Sequence, residues 1–256
     1  MKEIYLGTIS MEKNRWENGR IPTFNVSDFI DRIISDGFDG IELWQYHYTS
    51  ASDEEKAKLA SSGIPFIFNS YISFVERNDE IYKEIGNAVK ELDAKTIKFN
   101  LGLSSDNNID IATQVENLKR FAEFLPNDVK LLSECHANTI MEIPEEAGEI
   151  FAKLDKERYG AIIHLSYGKD FIDRCYAAYG DRITHIHCSY LDADIEEIDF
   201  KPLDDPTGNV KDKLNYFINK GFNGTLNVEF VKFEDTAEAH YIHAVEDMKY
   251  LRTIYK

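Results

Sequence analysis

The sequence predicts an α/β fold, a single (β/α)8 TIM barrel over residues 1–256, and three observations carry that expectation. Short runs with strand propensity alternate with amphipathic runs, and eight such strand-then-helix pairs can be counted along the chain. No linker rich in Gly, Pro or Ser divides them, and 256 residues is close to the ~250 usual for such a barrel. Finally, Gly7-Thr8-Ile9 after the first strand is not the glycine-rich phosphate turn expected of an open doubly wound sheet.

Each element has its own warrant. Residues 2–8 (KEIYLGT) read as the first strand. The polar stretch 14–24, punctuated by Gly and Pro, reads as a loop long enough to be functional. Val26, Phe29, Ile30, Ile33 and Ile34 follow the i, i+3, i+4, i+7, i+8 spacing of one helix face, with Asn25 and Ser27 as capping residues and Gly37 as the stop. Residues 38–44 make a second strand, an acidic helix covers 53–60, and 64–69 make a third strand. A helix over 79–92 leads to a strand at 96–100. A longer helix over 108–125 then carries Ile111, Val115, Leu118, Ala122 and Leu125 on one stripe, and Pro126 ends it. Strands at 130–136, 161–164, 183–187 and 225–229 alternate with helices near 144–154, 170–178 and around Val210, Leu214, Phe217 and Ile218. A polar stretch occupies 192–207, and a last helix spans 238–253.

The last four strands each close on a ligand-type residue: Glu134, His164, His187 and Glu229. Chemistry in a barrel sits at the carboxyl ends of its strands, so these four are expected to converge. Any one of them alone has an ordinary explanation, such as a hydrogen bond to a loop; agreement across four consecutive strands is the signal. Two carboxylates and two imidazoles suffice for one divalent metal ion, with Zn, Mn or Co favoured over Mg by the nitrogen donors. Period-two alternation places His136 on the face of Glu134, available to substrate or a proton relay, and makes His185 an interior, satisfied group. Glu42 and Trp44 end the second strand facing inward, a carboxylate and an indole suited to the hydroxyls and apolar face of a polyol. Lys98 and Asn100 are weaker candidates, and His240 and His243 on the last helix are expected to be solvated.

A formal charge of -17 repels polyphosphates and anionic surfaces, which argues for no nucleic acid and no membrane as partner and for a neutral or cationic small molecule. Neither a signal-peptide run nor a transmembrane run is present, and Cys135, Cys175 and Cys188 are an odd number, so a cytoplasmic protein is expected. Alternation turns Cys135 and Cys188 away from the site, as small core hydrophobes.

Four motifs carry a resemblance: GFDGIELW at 37–44, ECH at 134–136, HIH at 185–187 and GFNGTLNVEF at 221–230. In order and spacing, over nearly the whole chain, they resemble the xylose-isomerase-like barrels, a family of sugar isomerases and epimerases, inosose dehydratases and, more distantly, the zinc endonucleases of base-excision repair. The resemblance implies one divalent metal held by Glu, Asp, His and Glu from strands five to eight, and Glu134, His187 and Glu229 match. At strand six His164-Leu165-Ser166-Tyr167 stands where the family has Asp-x-x-His, and His187-Cys188-Ser189-Tyr190 stands where it often has His-x-Lys-Asp. Strands three and four end in Asn69 and Asn100, which do not supply the further ligands of the endonuclease cluster.

The implied activity is a metal-dependent isomerase or epimerase of a sugar, polyol or related hydroxy-ketone. Glu134 and Glu229 remove and return a proton through an enediolate, His136 and Glu42 orient hydroxyls, and Trp44 with Tyr167 form stacking walls. Two alternatives remain: a catalytically degenerate barrel that binds a sugar or metabolite, and an inosose-type dehydratase. The resemblance also implies a homo-oligomer.

Overall fold

The computed structural model describes residues 2–17, 19–102, 110–191 and 200–256. In chain order its elements are β1 (Ile4–Gly7), α1 (Ile30–Asp36), β2 (Gly40–Trp44), α2 (Gln45–Thr49), α3 (Asp53–Ser61), β3 (Phe66–Asn69), α4 (Asp79–Glu91), β4 (Thr96–Phe99) and α5 (Ile111–Ala122). They continue with β5 (Lys130–Glu134), α6 (Pro144–Phe151), β6 (Tyr159–His164), α7 (Lys169–Tyr179), β7 (Ile183–Cys188), β8 (Tyr190–Leu191), β9 (Phe200–Lys201), α8 (Val210–Asn219), β10 (Thr225–Val228) and α9 (Ala237–Ile254). Eight of the strands close a parallel barrel in the order β1-β10-β7-β6-β5-β4-β3-β2, and β8 with β9 forms a separate antiparallel ribbon. The predicted (β/α)8 architecture therefore forms. Its contacts divide it into two compact units, Met1–Pro65 with His164–Lys169 and His185–Lys256, and Phe66–Ile163 with Asp170–Thr184.

In the first unit β1 lies between β2 and β10, with Leu6 opposite Ile41 and Val228, and β10 sets Asn227 opposite His187. Gly40 is required where it stands. A Cβ there would lie 2.2 Å from Cε1 of Tyr5 and 2.7 Å from the Pro65 carbonyl. Helix α9 buries Tyr241, Ala244, Met248 and Leu251, the i, i+3, i+7, i+10 face of an amphipathic helix. Gly37 ends α1 in the left-handed conformation, φ 103°, its N–H bonded to the Ile34 carbonyl. The expected side-chain caps before α1 do not form: Val26–Phe29 is a 3-10 turn, and Ser27 gives its N–H and hydroxyl to the Glu55 carboxylate instead.

The second unit carries β3 to β5 and most of β6, with Ile97 opposite Phe68 and Leu131, and Leu132 opposite Gly160. Asn78 and Asp110 cap α4 and α5 through their side chains. Phe74, Tyr82, Phe99 and Phe121 pack ring on ring inside them. Cys135 is buried as the sequence predicts, Cys175 is buried too, and burial pushes their thiols up to about 12 and about 11.

Three local expectations change. β5 stops at Glu134; the last ladder bond is Cys135 N–H to the Ile162 carbonyl, after which Asn138 takes φ 64° and the chain turns. His136 is accordingly exposed in a turn, and the face it was to share with Glu134 does not exist. Helix α2 was not anticipated, because five residues are too few to show a helical period. The start of the 108–125 helix and residues 192–199 of the polar stretch lie outside the described residues. Among the described residues no helix is long and apolar enough to cross a membrane.

Candidate metal centre

The interior of the first unit is polar where a barrel core is usually branched and aliphatic. Alternation along β7 turns His185 and His187 inward, β2 contributes Glu42, and Glu229 follows the last residue of β10 with its N–H on the Cys188 carbonyl. Glu42, His185 and His187 are each 0% exposed. Oε2 of Glu42 lies 3.1 Å from Nε2 of His185 and 3.1 Å from Nε2 of His187. Burial works against the Glu42 charge, but the two imidazoles outweigh it and hold the carboxyl far below its usual range. Burial depresses His185, against the pull of Glu42, and keeps it neutral.

This arrangement fixes tautomers. A carboxylate oxygen accepts, so Nε2 of each ring carries the proton and donates to it. The other nitrogen of His187, Nδ1, faces Oε1 of Glu229 at 3.0 Å. A proton on the ring closes that contact, and a metal ion can take the proton's place. Oε2 of Glu229 is buried without a hydrogen bond among the described residues, and Nδ1 of His164 is 3.6 Å from it. One donor atom from each of His164, His187 and Glu229 lies within 4.8 Å of the others. Two donors each about 2.1 Å from one ion at a near-tetrahedral angle stand about 3.4 Å apart, so the spacing and the mixed nitrogen and oxygen donors fit a Zn-like ion. Glu42, His185 and His187 form a second cluster of ligand type, but there the Glu42 oxygen is already engaged by two N–H groups.

In the second unit Glu134 ends β5 opposite Ile162, two residues before His164 on the neighbouring strand. Its Oε2 pairs with Nζ of Lys98 at 2.7 Å, and both side chains are buried. The Lys98 ammonium also lies 4.8 Å from the centroid of Tyr71. Lys98, the weaker candidate in the sequence, is thus the direct partner of a leading one.

The remaining candidates are placed as follows. Tyr167 is half-buried with its ring 5.5 Å from that of His164. Trp44 is 0% exposed, packed 4.9 Å from Tyr46 and 5.4 Å from His47, with its backbone N–H on Thr8 Oγ1. Glu42 faces the two imidazoles, as above, and His136 lies out in its turn. His240 is not solvated, contrary to expectation. It is fully buried, with Nδ1 on the Met11 carbonyl and Nε2 accepting from Glu234 N–H, because α9 packs this face against the turn Thr8–Met11.

Sequence reasoning missed the network that shapes the loop after β1. Glu12 is 0% exposed and accepts from Thr23 N–H at 2.7 Å, Thr23 Oγ1 at 2.8 Å and His47 Nε2 at 2.8 Å. His47 Nδ1 in turn accepts from the Thr8 hydroxyl at 3.0 Å. The available signal was the length of the loop, which says that it matters but not which residues it buries.

No protein-family model and no curated protein matches the sequence. Solved structures share the fold. A D-psicose 3-epimerase from Clostridium cellulolyticum H10, solved with D-tagatose, superposes with a TM-score of 0.71 at 15% identity over 100% of both chains. The IolI protein, solved with a bound zinc atom, gives 0.72 at 17% identity, covering 100% of this chain and 99% of that one. The probable 3-DHS dehydratase AsbF from Bacillus anthracis gives 0.69 at 18% identity over 98% and 99%. What these likenesses define is a barrel of the xylose-isomerase-like shape.

Proposed function

We propose that this chain is a divalent-metal-dependent isomerase or epimerase of a sugar, polyol or related hydroxy-ketone, with Glu134, His164, His187 and Glu229 as the ligand set. The observation that carries the reading is the gathering of donor atoms from His164, His187 and Glu229 within 4.8 Å of one another, with the opposite nitrogen of His187 tied to Glu42. The bound zinc of IolI and the sugar of the psicose epimerase, on the same fold, support it. A bound Zn, Mn or Co ion supplies Lewis acidity that makes the C–H beside a substrate carbonyl removable. The protein's own residues do the rest. Glu229 and Glu134 remove and return that proton, Glu42 orients the His187 ring so that Nδ1 turns toward Glu229, and Tyr167 beside His164 offers a ring to the substrate.

The test is elemental mass spectrometry on untagged protein purified without chelators, followed by solvent-deuterium exchange into ketoses. Near one equivalent of a divalent metal, lost in His187→Ala, with exchange abolished in Glu229→Gln, is the expected result. No metal after incubation with Zn, Mn and Co would end the reading, and water loss in the product mass would move it to a dehydratase. A second reading, a barrel that binds a sugar without turnover, is favoured by the buried Lys98–Glu134 pair, in which an internal cation already neutralises one proposed ligand.

A further inference from the structure

Arg15 plays no part in the proposed metal site, yet its burial demands an explanation. It stands in the loop after β1 and its side chain is 1% exposed. One corner of the guanidinium is anchored: Nη1 donates to the Glu12 carbonyl at 2.7 Å and to the Ser10 carbonyl at 3.4 Å. The rings of Trp16, Phe233 and Phe230 surround Cζ with centroids at 4.6, 4.9 and 5.1 Å, and Phe200 lies at 5.9 Å. The other edge, Nε and Nη2, is buried and has no acceptor among the described residues. Glu12 is taken by Thr23 and His47, and Glu229, which faces His187, acts on Arg15 through its charge without a hydrogen bond to it.

A buried cation with half its donors unpaired is costly, and a fold retains such a group where something else completes it. The Nε and Nη2 edge is the side-on fork of arginine, matched in spacing and plane to the two oxygens of a carboxylate. Aromatic walls exclude water and strengthen the pair that forms between them. A phosphate dianion would need more donors than one edge gives. Burial pulls the guanidinium down to about 10, against Glu229 and Glu12, which leaves it cationic at neutral pH. The outer wall is partly exposed, Trp16 at 52% and Phe233 at 41%, with Trp16 stacked on Phe200 at 6.2 Å, and a ligand reaching the fork requires one of these rings to give way.

We propose that Arg15 is the anchor for a substrate carboxylate, so that the small molecule taken by this barrel is a sugar acid or hydroxy-keto acid rather than a neutral polyol. The inference rests on the isomerase reading for the reaction but not for the binding. It also makes a local exception to the chain's charge of -17, which by itself disfavours anions.

Calorimetric titration of the full chain with matched probes tests it: D-glucuronate against D-glucose, D-galacturonate against D-galactose, and D-glucose 6-phosphate. The acids are expected to bind at least tenfold more tightly than their neutral partners and than the phosphate. Arg15→Met should erase that preference and Arg15→Lys restore only part of it, a point charge without the fork. Equal binding of acid and neutral sugar, no binding of either acid, tighter binding of the phosphate, or an unchanged preference in Arg15→Met would each overturn the assignment. The comparison in the unaltered protein stands even if a variant fails to fold. Metal content of the same samples separates the two readings: acid preference in metal-free protein sinks the isomerase alone, and its absence in metal-loaded protein sinks Arg15 alone.

Discussion

Oε2 of Glu42 lies 3.1 Å from Nε2 of His187, a contact between residues 145 positions apart that decides which nitrogen of the imidazole faces Glu229. The same oxygen holds His185. One carboxylate oxygen therefore orients two rings, and its charge makes both bonds stronger than a neutral acceptor would.

Glu42→Gln follows directly. An amide oxygen in the place of Oε2 can still accept from both rings, but it carries no charge, so both N–H bonds weaken and the His187 ring is held less firmly in the orientation that turns Nδ1 to Glu229. Zinc affinity is expected to fall about 10- to 100-fold, the usual cost of losing a partner that orients a ligand. Competition titration against a chromogenic chelator measures it, and wild-type affinity in the variant would show that the Glu42 contact does not orient the ligand.

Asp247 on α9 is 3% exposed and accepts from Leu203 N–H at 2.8 Å through Oδ1, while Oδ2 has no hydrogen bond among the described residues. Burial, with Asp204 and Glu246 adding to it, pushes its carboxyl up to about 7. The unfolded chain releases this proton near pH 4. Between those values the folded state alone holds it, so stability is full below about 4 and is lost as pH rises through 7. Asp247→Asn keeps the Oδ1 acceptor and cannot ionise. It is expected to be neutral at pH 4 and to stabilise by about 4 kcal/mol at pH 8. Urea unfolding at both values decides; an equal effect at the two pH values would contradict it.

His47 and His240 work with the opposite sign. Burial depresses both below the ordinary histidine value, outweighing Glu12 at His47 and the Met11 carbonyl at His240. The unfolded chain thus binds protons first, and the stability these rings contribute is present above about pH 6.5 and lost as pH falls below it. In the Asp247→Asn background the loss should approach about 1.4 kcal/mol per pH unit for each ring. Replacing either His by Gln should flatten the slope between pH 6.5 and 5, and a slope unchanged in both variants would assign it elsewhere.

How much of this was legible in the sequence differs by range of interaction. Period-two runs located all eight barrel strands and put Glu134, His164, His187 and Glu229 at or beside their carboxyl ends, since alternation is local and survives any packing. His136 was misplaced because a turn, not the apolar pattern, decides where a strand stops. The clamp of Glu42 on His185 and His187 was hidden because it joins residues 143 and 145 apart, through a barrel closure that no local pattern encodes. Arg15 was invisible for a different reason. A loop has no period, so a charged residue within it reads as solvated until neighbouring rings are found around it.

The interior floor of the first unit offers a sharper test of packing. Tyr5 opposes Gly40 across β1 and β2, and its ring occupies the space a side chain at residue 40 would need. A methyl there would sit 2.2 Å from Cε1, and the Pro65 carbonyl at 2.7 Å blocks the alternative of moving the strand. Gly40→Ala is therefore expected to destabilise by at least about 3 kcal/mol, the upper range of overpacking. Tyr5→Ala alone should cost about 3 kcal/mol for the cavity it leaves. The double variant should cost less than the sum, because the new methyl then occupies part of that cavity. Urea unfolding of the four proteins gives the coupling. Strict additivity would mean that the ring yields to the methyl and that residue 40 is glycine for a reason other than Tyr5.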